Sequence, residues 1–217
     1  MKYTTLLILI IMFGALDSYA QNKNAEKLLK ALAEKHNAYE NITSDFTFHY
    51  KNLQTENENK WSGKIIMEGD KYKLELRNST IYYNGKTLWN HLHESNEVNI
   101  SEAAEQEDSD IINHPHQIFD IYKKDFKYKY IDEETKDGQG VHVVDLYPKE
   151  IDKEYSRIRL YLTQEEVNIH SAMIFAKDGS RYNIDLKNMK TNQPLDDSTF
   201  VFNKQDHPDA EVIDMRF

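Results

Sequence analysis

The stretch Lys71-Tyr72-Lys73-Leu74-Glu75-Leu76-Arg77 alternates apolar and charged residues with a period of two. Successive side chains of a β-strand point to opposite faces of a sheet, so this stretch predicts a strand with one apolar and one charged face. The same alternation recurs at Gly63 to Met67, Phe126 to Tyr130, Arg157 to Leu162 and Arg181 to Lys187. These segments predict an antiparallel sheet whose apolar face needs a cover.

The first twenty residues have the features of an export signal. Lys2 is positively charged, Leu6 to Leu16 is almost purely apolar, and Ser18-Tyr19-Ala20 is a small-x-small cleavage site. We therefore expect a signal peptide at Met1 to Ala20, leaving residues 21–217 as one exported, soluble domain. The apolar run is shorter than the roughly 20 residues that a permanent membrane helix needs.

Composition excludes several classes of function. The chain has 217 residues and no cysteine, which excludes disulfides, thiolate metal sites and a cysteine-linked lipid anchor. Its formal net charge of −10 argues against nucleic-acid binding, which depends on clustered Lys and Arg. The same charge argues against passive adhesion to an anionic membrane.

Little helix is expected beside this sheet. Apolar residues at helical spacing predict an amphipathic helix from Asn24 to Tyr39, with Asn24 as N-cap. A short second helix is expected beyond Pro115, after the acidic, non-periodic stretch Ser101 to Asp110. Strands are expected at Ser44 to Lys51, Lys60 to Met67, Lys71 to Asn78, Thr80 to Tyr83, Thr87 to His91, Glu97 to Ile100, Phe126 to Asp132, Gly140 to Tyr147, Arg157 to Leu162, Asn168 to Ala176 and Arg181 to Met189.

No catalytic or metal-binding motif stands out. His91 and His93 share one strand face, and His114 and His116 lie near a predicted helix start. Because no further ligand cluster has a recognisable spacing, we interpret these histidines as surface residues and expect no metal, cofactor or catalytic residue. Periodicity alone leaves open whether the apolar face is a filled core or lines a ligand cavity.

Several motifs resemble the outer-membrane lipoprotein carrier family, LolA. Tyr83-Asn84-Gly85-Lys86-Thr87-Leu88-Trp89 is similar to the family's D-G-K-T-L-W hairpin. Asp45-Phe46-Thr47 resembles its S-F-T strand, and Asn113-His114-Pro115 its N-T-P. The closing F-x-F…P…V-x-x-D segment is matched by Phe200-Val201-Phe202, Pro208 and Val212-Ile213-Asp214.

The resemblance implies a mainly β fold with two to three helices, in which one curved antiparallel sheet forms an unclosed β-barrel lidded by the helices. It implies a monomeric periplasmic carrier, not an enzyme, whose hollow takes up the acyl chains of lipoproteins. The implied partners are an inner-membrane ABC-type lipoprotein-releasing complex and an outer-membrane acceptor. Glu68-Gly69-Asp70 stands where the family often has Arg-Pro, so the lid-closing Arg of the family is not matched.

Strand parity and helix face select the residues expected to line the hollow. They are Leu28, Leu32, Phe46, Ile65, Met67, Tyr72, Leu74, Leu76, Leu88, Ile118, Phe119, Tyr122, Ile158 and Leu160. A lipid- or peptide-sensing regulatory module on the same fold is the alternative function. A hydrolase is a third class, for which the sequence offers no motif.

Overall fold

The computed structural model describes residues 23–102, 117–119, 121 and 126–216. Met1 to Ala20, the acidic residues 103–110 and the histidine pair at 114 and 116 lie outside the described residues. No described helix is both long and apolar enough to cross a bilayer.

One α-helix and twelve strands make up the regular structure of the described chain. Helix α1 covers residues 23–37. The strands are β1 Ile42–Asn52, β2 Glu58–Glu68, β3 Lys71–Leu76, β4 Ser79–Tyr83, β5 Thr87–Leu92, β6 Glu97–Glu102, β7 Phe126–Lys136, β8 Gln139–Pro148, β9 Tyr155–Thr163, β10 Ile169–Ala176, β11 Ser180–Thr191 and β12 Glu211–Asp214.

All twelve strands belong to a single sheet in the order β12-β6-β5-β4-β3-β2-β1-β11-β10-β9-β8-β7. Strand β12 pairs with β6 in parallel, and the other neighbours are antiparallel. The terminal strands β12 and β7 are not paired with each other, so the sheet is not closed into a barrel. The predicted fold class, an unclosed antiparallel barrel, is confirmed.

The period-two pattern sets the two faces of the sheet. On β3, Tyr72 and Leu74 are 5% exposed, whereas the alternating residues Lys71 and Lys73 lie on the opposite face. The register continues this parity across the sheet, since Tyr72 faces Met67 on β2 and Tyr83 on β4. The buried side chains form one large apolar cluster on the concave face, which holds most of the core.

Among the described residues, α1 and the residues around 117–121 cover the concave face. Helix α1 buries Ala25 and Leu32 in the apolar cluster, as its helical spacing predicts. Residues 117–119 form a 3-10 turn that contributes Ile118 and Phe119 to the same cluster. The described part of the second helix that the sequence predicts, residues 117–119 and 121, therefore adopts 3-10 geometry.

The C-terminal part of the chain covers a separate area of the convex face. A short 3-10 helix, Asp197–Phe200, begins at Asp196, whose carboxylate accepts a hydrogen bond from the Ser198 backbone N–H. Phe202 then packs with Ala210 against Val98 and Ile100 of β6, in a smaller second cluster. This packing places the following residues beside β6, where β12 forms as the twelfth strand.

The C-terminal segment also changes the environment of a predicted surface residue. His91 is only 5% exposed, because its ring packs against Phe202 and His207 at centroid distances of 5.4 and 4.5 Å. The prediction of a surface position is therefore wrong for His91, although His93 is exposed. No group of His, Asp and Glu side chains within the described ranges is arranged to hold a metal ion.

Candidate functional site

The apolar concave face is the candidate site. Predicted lining residues of adjacent strands lie directly opposite one another, since Ile65 pairs with Leu74 and Met67 pairs with Tyr72. Leu76 lies opposite Gly63. Alternation on β2 and β3 therefore produces a continuous apolar surface across both strands.

The predicted residues of the other strands share this surface. Phe46 on β1 lies opposite Gly63 and Leu186, and Leu160 on β9 lies opposite Ala172. Among the fourteen predicted residues, Tyr122 lies outside the described part of the structure. The other thirteen belong to the concave cluster: Leu32, Phe46, Ile65, Met67, Tyr72, Leu74, Ile118, Phe119, Ile158 and Leu160 are buried, and Leu28, Leu76 and Leu88 are half-buried.

Strand β11 adds residues that the lining prediction omits. Ile184 and Leu186 are buried in the concave cluster, and both line the small cavity at its centre. The alternation between Arg181 and Lys187 predicts this strand correctly. Its parity could also have supplied these two lining residues.

The cavity between the sheet and its cover is small. It has a volume of about 10 Å³ and is lined by Phe46, Ile65, Leu74, Ile118, Phe119, Ile184 and Leu186. That is about the space of one water molecule, whereas a cavity of about 150 Å³ is known to hold benzene. A ligand much larger than a water molecule would fit there only if the covering segments moved away from the sheet.

Polar contacts hold the cover in place. Lys35 on α1 donates to the backbone oxygen of Glu166 at 2.6 Å and pairs with its carboxylate at 3.3 Å. Buried His36 lies 3.3 Å, through Nδ1, from the backbone oxygen of Phe119; a carbonyl only accepts, so Nδ1 is the donor. These two contacts tie α1 to the β9–β10 loop and to the 3-10 turn, respectively.

The position at which the LolA family often has a lid-closing Arg holds no cation in this chain. The Glu68-Gly69-Asp70 segment forms the β2–β3 turn, with Gly69 at a φ of 57°. Lys71, the next residue, lies on the convex face and pairs with Glu68 and Asp197, each at 3.1 Å. Lys35 and His36 of α1 make polar contacts with the described parts of its surroundings instead.

Burial changes the chemistry of one lining tyrosine. Desolvation raises the pKa of Tyr72 above its ordinary value, with a smaller contribution from the nearby Tyr83. The two rings lie 5.2 Å apart. Like any tyrosine, Tyr72 is neutral at physiological pH, and its burial keeps it neutral to higher pH, as part of the apolar surface.

The model of the family "Outer membrane lipoprotein carrier protein LolA" matches residues 38–203. The chain belongs to the LolA family. The matched region extends from the end of α1 to the first residues after the short 3-10 helix, so it includes the whole concave face of β1 to β11. Strand β12 lies beyond it. No curated protein matches the sequence.

Solved structures with the same fold are distant in sequence. An uncharacterised conserved protein from Thermus thermophilus is 10% identical, with a TM-score of 0.58 over 88% of this chain and 99% of the other. The lipoprotein LppX from Mycobacterium tuberculosis is 10% identical, with a TM-score of 0.53 over 81% and 98%. A DUF1329 family protein from Desulfovibrio piger is 14% identical, with a TM-score of 0.52 over 83% and 97%. At these identities the likeness concerns the fold alone.

Proposed function

We propose that this LolA family member is a periplasmic carrier that binds the acyl chains of lipoproteins on its concave face. It would receive them from an inner-membrane ABC-type releasing complex and deliver them to an outer-membrane acceptor. The signal peptide at Met1 to Ala20 would direct export, and the mature chain would act as a monomer. No step of this function requires a catalytic residue or a cofactor.

The observation that carries the proposal is the nature of the cover over the apolar face. In the described chain, α1, the 3-10 turn at 117–119 and Ile121 lie over a concave surface to which ten strands contribute apolar side chains. These covering segments belong to no strand pair, so they can move without unpairing any strand. Half-buried Leu28, Leu76 and Leu88 are available to contact a ligand as the cover moves.

The hydrophobic effect explains why acyl chains need a carrier between two membranes. Burial of each CH₂ group is worth about 0.8 kcal/mol, so long acyl chains cannot cross an aqueous compartment unprotected. A membrane and a protein interior shield these chains to a similar degree. The free energy of moving an acyl chain from the membrane to the carrier is therefore close to zero. The direction of transport then depends on energy input at the donor and on stronger binding at the acceptor.

The test is a charge placed in the centre of the proposed site. Leu74→Glu introduces a carboxylate beside Phe46 and Ile65, and we expect it to abolish co-purification of acylated lipoproteins. Leu53→Glu is the matched control, because Leu53 lies in the β1–β2 turn and is 54% exposed. Undiminished lipoprotein binding by Leu74→Glu would contradict the proposal.

Folding of the variant needs a separate check, since a buried carboxylate costs stability. Leu88→Gln places an uncharged polar group at a half-buried position on the same face, and we expect it to stay folded and to bind at least tenfold more weakly. If the chain were instead a regulatory module, a pull-down with the native protein would recover a signalling membrane protein and no lipoprotein.

A further inference from the structure

Several positively charged side chains lie in two neighbouring cross-strand rows on the convex face of this acidic chain. A single cross-strand row from β7 to β2 contains, in register, Lys129, Asp145, Arg159, Met173, Asn183, His49 and Lys60. The adjacent row from β9 to β2 contains Arg157, Phe175, Arg181, Lys51 and Glu58.

We call these two rows, together with Lys127, the basic band. Lys127 lies two residues before Lys129 on β7 and shares its exposed face. The band contains seven Lys or Arg side chains and two carboxylates, in a protein of net charge −10. The overall charge therefore conceals a local surface of the opposite sign.

The carboxylates of the band do not neutralise it. Asp145 is buried and is shared by two guanidinium groups: Arg159 binds it with two bonds of 2.7 and 2.9 Å, and Arg157 with one of 3.1 Å. Glu58 lies 2.6 Å from His49 and 3.9 Å from Lys51. A net positive charge remains on both rows.

The arginines are fixed in position before any partner binds. The guanidinium carbon of Arg157 lies 3.9 Å from the centre of the Phe175 ring, and that of Arg181 lies 4.7 Å from it. Two positively charged groups are thus held against the ring of Phe175, and Asp145 fixes one of them, Arg157, by a hydrogen bond. An incoming carboxylate would relieve their repulsion at little cost in side-chain entropy.

The composition of the band resembles that of a protein interface. Arginine, aromatic residues and methionine are enriched at interface centres, and Arg157, Arg159, Arg181, Phe175 and Met173 occupy the middle strands. The lysines occupy its two ends, on β7 and on β1 and β2. The convex curvature of the band would let a flat bilayer touch only part of it.

We propose that the basic band binds an extended acidic segment of a partner protein. From β7 to β2 the band crosses six strand spacings, or about 29 Å at 4.8 Å each, which is the length of about nine extended residues. The carboxylates of such a segment would pair with the arginines and with the lysines at both ends. This surface is on the opposite face from the proposed acyl-chain site, so the two functions can be tested separately.

The experiment measures binding of a fluorescein-labelled deca-glutamate peptide to the mature protein by fluorescence anisotropy. We expect the triple variant Lys51→Glu, Lys60→Glu, Lys129→Glu to bind the peptide at least tenfold more weakly than the wild type. All three lysines are exposed, so the variant should fold normally. The control is the triple variant Lys27→Glu, Lys86→Glu, Lys190→Glu, which makes the same charge change at exposed positions outside the band.

The two triple variants separate a local effect from a general one. Retained binding by the control and loss by the band variant would support the proposal. Absence of peptide binding by the wild type, or equal weakening in both variants, would overturn it. Band-dependent pelleting with phosphatidylglycerol vesicles in the absence of peptide binding would also overturn it, in favour of a membrane surface.

Discussion

The ring of Phe46 on β1 lies directly over Gly63 on β2. A methyl group on Gly63 would lie 2.8 Å from the Phe46 Cζ atom and would also collide with the backbone oxygen of Glu75. The absence of a side chain at Gly63 therefore allows Phe46 to lie flat in the centre of the concave face.

The first prediction follows from this contact. Gly63→Ala should lower the free energy of unfolding by about 1–3 kcal/mol, because the added methyl group displaces Phe46 or the adjacent strand. Urea denaturation of the variant and the wild type measures the difference. A variant as stable as the wild type would show that the site tolerates overpacking.

The second prediction concerns the attachment of the cover. Lys35→Ala removes the contacts of α1 with Glu166 and should increase amide hydrogen exchange in α1, with a loss of global stability below about 1 kcal/mol, since the pair is partly exposed. Lys30→Ala is the control, because Lys30 pairs with Glu34 within the same helix. Equal exchange in both variants would mean that Lys35 does not hold the cover.

The third prediction concerns pH. Burial lowers the pKa of His170, nearby Lys136 lowers it further, and Asp137 opposes the shift. The unfolded chain therefore binds a proton more readily than the folded one below the ordinary histidine pKa of about 6.5. The stability that neutral His170 contributes is present above that pH and is lost as the pH falls.

His170→Gln tests this linkage, because glutamine cannot be protonated in this range. The free energy of unfolding should fall less steeply between pH 7 and pH 5 in the variant than in the wild type. Urea titrations at several pH values provide the comparison. Parallel curves would contradict the assignment to His170.

The fourth prediction concerns the buried carboxylate of the convex face. Asp145→Ala removes the shared partner of Arg157 and Arg159 and should destabilise the fold by about 2–3 kcal/mol. Both arginines retain some contact with water, which keeps the loss below that of a fully buried pair. Thermal and urea unfolding would measure it, and an unchanged stability would indicate that solvent replaces Asp145 fully.

The sequence was sufficient to predict eleven of the twelve strands and the alternation of apolar and polar side chains along them. Period-two alternation fixed the positions of Tyr72, Leu74 and Leu76, because in a half-buried strand a shift of one residue would place charges in the core. Alternation could not predict the volume of the cavity that these side chains leave between the sheet and its cover. The size of the cavity depends on how Ile118 and Phe119 pack against the sheet, and packing over long sequence separation leaves no periodic signal.

The C-terminal region shows the other limit of sequence reasoning. Strand β12 is exposed along its whole length and pairs in parallel with β6, so it has no alternation that would identify it. The burial of His91 likewise depends on Phe202 and His207, more than a hundred residues away in the chain. Cross-strand rows such as the basic band also require the register, which single strands do not reveal.

The decisive experiment is native mass spectrometry of the mature protein, isolated from the periplasm without detergent. We expect a population whose mass exceeds that of the free chain by one acylated lipoprotein, and loss of this population in Leu74→Glu but not in Leu53→Glu. A wild-type protein found only at the mass of the free chain, in cells that are exporting lipoproteins, would contradict the proposed carrier function.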